Sequence, residues 1–91
     1  MADIVSRHVT YSGRVQGVGF RYTAKGIANG FKVAGHVRNR PDGTVELLAQ
    51  GAADQVEGFL GAIGRQMTAY VEDQETQDVP PTDAQTFTII R

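Results

Sequence analysis

The chain contains no cysteine among its 91 residues. That absence excludes a disulfide framework, a thiolate zinc site and a cysteine nucleophile. It also fits a reducing compartment. A dominant charge is missing too: nine Lys and Arg face ten Asp and Glu, giving a net charge of −1. Such a balance argues against a nucleic-acid binder whose affinity rests on neutralising many phosphates. No apolar run is long enough to span a bilayer, and residues 1–10 lack the apolar stretch of a signal peptide. The expectation is therefore a cytoplasmic protein with no membrane partner. Internal repeats and separating linkers are absent, so residues 1–91 read as a single domain.

The order of elements follows from changes of period. His8–Ser12 alternates with β-branched and aromatic members, as a strand does. Glycines at 13, 17 and 19 then break the pattern, and Phe20, Ala24, Ile27, Ala28 and Phe31 recur at helical spacing. Gly30 is expected to end that helix in the left-handed conformation. Residues 31–39 alternate again, with Val33, Gly35, Val37 and Asn39 on one face and Lys32, His36 and Arg38 on the other. Pro41-Asp42-Gly43 predicts a turn, returning the chain along 44–50 as the second arm of a hairpin.

Asp54, with Glu57 three residues on, predicts an N-cap. Val56, Phe59, Leu60, Ile63 and Met67 form the stripe of a second helix, with Gly64 as its stop. Gly58 and Gly61 inside it each cost roughly 1 kcal/mol relative to Ala, which implies close packing there. A weaker strand over 68–75 and a clear one over 86–90 complete the chain. The β-α-β-β-α-β order predicts an α+β ferredoxin-like (split βαβ) sandwich. It would have an antiparallel four- to five-stranded sheet and two helices on one face.

Fold alone does not assign function, but the segment Gly13-Arg14-Val15-Gln16-Gly17-Val18-Gly19-Phe20-Arg21 joins a strand to a helix N-terminus. Such a junction offers free N–H groups and the positive end of a helix dipole. Gly17 and Gly19 let the backbone curl so that amides converge on one anion. Arg21 can add charge-assisted hydrogen bonds of roughly 1.5–3 kcal/mol each. Arg14 lies near the same loop, and no acidic residue stands beside either arginine. The ending Gly-Lys-Ser/Thr of a nucleotide loop is missing, and Tyr22 stands where a dinucleotide fingerprint needs glycine. A single phosphate-sized group is the expected ligand.

Asn39 has two readings: a cap for the turn at Pro41, or an amide that orients a water or substrate oxygen. His8 and His36 show no metal-ligand spacing, and His36 points away from the Asn39 face. Glu72, Asp73, Glu75 and Asp78 read as a solvated strand that discourages edge pairing. Tyr11 and Phe20 invite a base-stacking reading, although Phe20 fits the helix core. Tyr22 is a candidate rim contact near the loop.

Gly13, Val15, Gln16, Gly17, Val18, Phe20 and Arg21 match the pattern G-x-V-Q-G-V-x-F-R, and Gly35, Val37, Asn39, Asp42, Gly43 and Val45 match G-x-V-x-N-x-x-D-G-x-V. With both, the chain resembles the acylphosphatases over nearly its whole length. It departs from many of them in having Gly64-Arg65-Gln66 after the second helix, and His at position 36. The resemblance implies metal-independent, cofactor-free hydrolysis of small acyl phosphates. Phosphate would be bound by the amides of Val15, Gln16, Gly17, Val18, Gly19 and Phe20 together with Arg21, and Asn39 would orient the water. Inorganic phosphate would be product and competitive inhibitor, and the protein a monomer. With no zinc-binding cysteines or following domains, a freestanding enzyme is expected rather than a module of a larger maturation protein. Two further readings are a phosphate-sensing module without turnover and an RNA-binding sheet. The second lacks the aromatic and basic surface such sheets use.

Overall fold

A computed structural model describes residues 3–91. Its elements run β1 (Ile4–Gly13), α1 (Phe20–Ala28), β2 (Ala34–Asn39), β3 (Val45–Ala52), α2 (Ala53–Gln66), β4 (Val71–Asp78) and β5 (Phe87–Ile90). The five strands form one sheet in the order β4-β1-β3-β2-β5. Among the described residues no helix is long and apolar enough to cross a membrane.

The core lies between the helices and one face of the sheet. Val9 and Tyr11 of β1, Val45, Leu47 and Ala49 of β3, Val37 of β2 and Phe87 of β5 are buried with Phe20 and Ala24 of α1 and Val56, Phe59 and Ile63 of α2. Tyr11 and Phe20 are core residues, their ring centroids 4.9 Å apart, so neither is free to stack on a base. Burial pushes the Tyr11 phenol well above its ordinary range. Gly58 brings α2 against Phe31, where a Cβ would meet the ring at 2.7 Å, whereas Gly61 faces only the Arg65 side chain. Close packing thus explains the first of those glycines and not the second.

The sheet is not wholly antiparallel. β1 pairs antiparallel with β3 and β4, and β2 with β3, but β5 runs parallel to β2. The polar segment 79–86 is long enough to carry the chain across, so β5 enters beside β2 in the same direction. Periodicity sees a strand but not its direction. Three element ends also differ from expectation. Helix α1 closes through the bonds Gly30 N–H to Ile27 O and Phe31 N–H to Ala28 O. These satisfy its last carbonyls, and Gly30 needs no positive φ. Strand β3 runs straight into α2, so Ala52 is the N-cap and Asp54 lies within the first turn. There it complements the helix dipole instead of capping. Gly64 does not stop α2, which continues to Gln66.

The exposed edges are guarded. Edge strand β4 is exposed from Glu72 to Asp78 and carries Glu72, Asp73, Glu75 and Asp78, which suits a protected edge. At the other edge, Lys25 of α1 donates from Nζ to the Phe87 carbonyl at 2.7 Å.

Candidate active site

The loop from Arg14 to Gly19 folds over the end of the sheet. Gly17 and Gly19 both take φ near +79° and +78°, a region other residues rarely enter. Val15 is fully buried and roots the loop in the core. The Arg14 N–H donates to the Tyr70 carbonyl at 2.9 Å, while its side chain lies exposed to solvent. Gln16 reaches across to the β2–β3 turn, where its side-chain amide donates to the carbonyls of Arg40 at 2.7 Å and Thr44 at 2.9 Å. The Gln16 side-chain donor is therefore spent on the scaffold, and its backbone N–H is the donor left for a ligand.

Helix α1 begins at Phe20 with Gly19 as N-cap, no capping side chain and no acid in its first turn. The amides of that turn have no intrahelical carbonyl to bond, and the dipole's positive end is uncompensated by side chains. In front of it lies a cavity of about 150 Å³ lined by Val15, Gly17, Gly19, Phe20, Arg21, Tyr22 and Asn39. Its size suits one small anion. Gln16 and Val18 do not line it, and neither does Arg14.

Arg21 and Asn39 thus meet in one cavity, although 18 positions separate them in sequence. The turn that follows Asn39 is closed without its side chain. Arg40 N–H donates to Thr44 O, Gly43 N–H to Arg40 O, and the Asp42 carboxylate accepts from Thr44. These bonds to Thr44 hold the Asp42 carboxyl below its usual range. Asp42 does the turn-capping that Asn39 was offered for. The Asn39 amide has no protein hydrogen-bond partner among the described residues, and it faces the cavity.

The sheet face away from the helices holds a second polar cluster that sequence reasoning missed. Glu46 is buried at 8% exposure. Its carboxylate accepts from Arg38 Nε at 2.7 Å, His8 Nε2 at 3.0 Å, His36 Nε2 at 3.2 Å and Arg40 Nη2 at 2.5 Å. Burial alone would raise the Glu46 carboxyl, but bonds from His8, Arg40, Arg38 and His36 outweigh it and hold the group far below the carboxylate range. Because an ionised carboxylate only accepts, the contacting Nε2 of each histidine carries the proton. The 3.2 Å approach of Arg40 Nη2 to His8 Nε2 is then a packing contact and not a hydrogen bond. The signal was present: alternation puts Glu46 opposite Arg38 in a hairpin whose turn had been read. A larger groove of about 470 Å³, bordered by Phe31 and Gln50, lies at the opposite end of β2 and β3 from Asn39.

A family model for acylphosphatase matches residues 7–89. The chain belongs to the acylphosphatase family. It is 44% identical over 82 residues to an acylphosphatase of Methanospirillum hungatei, covering 88% of this chain and 90% of that protein. The crystal structure of acylphosphatase from Bacillus subtilis matches with a TM-score of 0.85 at 32% identity, covering 96% of this chain and 99% of that one. An acylphosphatase from Coxiella burnetii matches with a TM-score of 0.86 at 29% identity, covering 97% and 94%. As a member of this family the chain is a hydrolase.

Proposed function

We propose that the chain hydrolyses acyl phosphates by holding the phosphoryl group in the Arg14–Arg21 loop and directing water onto it from Asn39. One observation carries the reading: Arg21 and an otherwise unbonded Asn39 line the same small cavity, at a helix N-terminus with no acid in its first turn. Backbone amides and the Arg21 fork supply donors for three phosphoryl oxygens. Those oxygens carry the charge of a loose transition state, so preorganised donors supply most of the catalysis.

The bond that breaks joins phosphorus to the carboxyl oxygen. A carboxylate leaves as a weak base, with a reference pKa near 4, and needs no proton donor. The bond that forms joins phosphorus to the water that Asn39 orients. No carboxylate or imidazole lines the cavity. A phosphoryl oxygen of the substrate therefore takes the water's proton, and inorganic phosphate is released, able to re-enter the same site as an inhibitor.

The test is hydrolysis of benzoyl phosphate by the parent, Arg21→Ala and Asn39→Ala. Losing Arg21 should cost at least about 10²–10³ in kcat/KM. Asn39→Ala should depress kcat while leaving the binding of inorganic phosphate nearly intact. A parent that binds phosphate but leaves benzoyl phosphate at its spontaneous rate would make this a sensing module. A bell-shaped pH profile traced to an enzyme histidine or carboxylate would remove the substrate-assisted step.

A further inference from the structure

We infer that Arg91 and Tyr22 form an acyl-end subsite that selects acyl phosphates of dicarboxylic acids, an inference resting on the hydrolysis proposed above. The phosphate cavity, at about 150 Å³, cannot also enclose an acyl chain. The chain must leave by the mouth, so whatever stands there meets it. Tyr22 lines that mouth yet remains 60% exposed, an aromatic ring with no place in the core.

Arg91 reaches the same place because β5 runs parallel to β2. The register pairs Val37 with Ile89 and Arg38 with Ile90. One further step sets Arg91 level with Asn39, and alternation puts both on the helix side of the sheet, two positions beyond core-packed Val37 and Ile89. The side chain confirms this placement: Arg91 Nη2 donates to the Tyr22 hydroxyl at 3.4 Å. A guanidinium has five donors, and Arg91 forms no ion pair among the described residues. A cation with spare donors therefore stands at the rim of a cavity whose own cation, Arg21, is committed to the phosphoryl group.

A substrate entering phosphate-first lays its acyl chain over the Tyr22 ring and carries its far end towards Arg91. One planar guanidinium matches the two oxygens of a carboxylate. The favoured class is thus an acyl phosphate with a carboxylate at the other end of a short methylene chain.

The experiment compares kcat/KM for adipoyl phosphate with that for hexanoyl phosphate, which replaces the distal carboxylate by a methyl group. Both are measured in the parent and in Arg91→Met at low ionic strength. The parent should prefer adipoyl phosphate about three- to tenfold, expressed mainly in KM, because an exposed charge-assisted contact is weaker than a buried one. In Arg91→Met the ratio should fall towards one, and in the parent added salt should erode it. A ratio that is the same in parent and variant overturns the subsite while both substrates are still turned over. A parent that hydrolyses neither substrate overturns the proposed function and the subsite with it.

Discussion

Two polar clusters sit on opposite faces of the same sheet, and they are built in opposite ways. On the helix side, Arg21, the first-turn amides of α1 and the Asn39 amide surround a cavity with no acid in its lining. On the open side, Arg38, Arg40, His8 and His36 all turn inward on one carboxylate, Glu46. The open face holds more basic groups, yet it is the closed one. Each of its cationic side chains already faces a carboxylate, and a ligand would first have to displace Glu46. What separates the two regions is unspent donors, not the number of cations.

The contrast predicts a double dissociation. Arg21→Ala should abolish turnover by at least about 10²–10³ without lowering the melting temperature. A cation in the first turn of a helix opposes the dipole, so its removal should leave stability equal or raise it by about 0.3–1 kcal/mol. Arg21→Lys should recover little activity, because a point charge does not reproduce the planar fork. A large fall in melting temperature for Arg21→Ala would mean that the cavity is structural and would erase the distinction between the faces.

Gln16 is the link between the regions, and its effect should be intermediate. Its amide ties the loop to the turn that follows Asn39 through the carbonyls of Arg40 and Thr44. Gln16→Leu removes both bonds, at a cost of about 1–2 kcal/mol, and lets the loop drift relative to Asn39. A fall of roughly tenfold in kcat is expected, since small misplacements of catalytic groups are expensive. Stopped-flow or steady-state assays alongside thermal melts would check both numbers. Unchanged kcat with lowered stability would reduce Gln16 to a scaffold residue.

The two clusters were unequally legible in the sequence. The strand-to-helix loop was readable because its logic is local: glycines, a change of period and an arginine lie within nine consecutive residues. The partnership of Arg21 with Asn39 was readable only through the family resemblance, because residue alternation left Asn39 with two roles. In the structure Asp42 closes the turn, and the Asn39 side chain takes no part in it. The Glu46 cluster was missed because its members come from three strands and the β2–β3 turn, and a lone glutamate amid Val45, Leu47 and Leu48 has no periodic signature. Writing out the register of the predicted hairpin would have placed His36 and Arg38 beside it, but not His8 of β1. The direction of β5 was not recoverable at all, since strand propensity is the same both ways, and with it went the position of Arg91. Helix ends failed for the same local reason: Asp54 and Gly64 had the right chemistry, but β3 and Met67 set the boundaries through packing.

The open face should respond to protons and to mutation in stability rather than in rate. Removing the buried carboxylate in Glu46→Gln leaves Arg38 and Arg40 close together without their acid. A loss of about 1–3 kcal/mol is expected, below the range for fully buried pairs because Arg38 is half exposed. Turnover should stay within a few-fold, since Glu46 lines no part of the cavity. The folded Glu46 carboxyl lies below its unfolded value near 4.3. Its contribution is therefore complete above that value and is lost as the pH falls through it towards the folded value. Melting temperatures measured from pH 7 down to pH 2 should show parent and Glu46→Gln far apart near neutrality and converging in acid. Curves that stay parallel would mean that Glu46 supplies shape rather than charge, and that both clusters are held by packing.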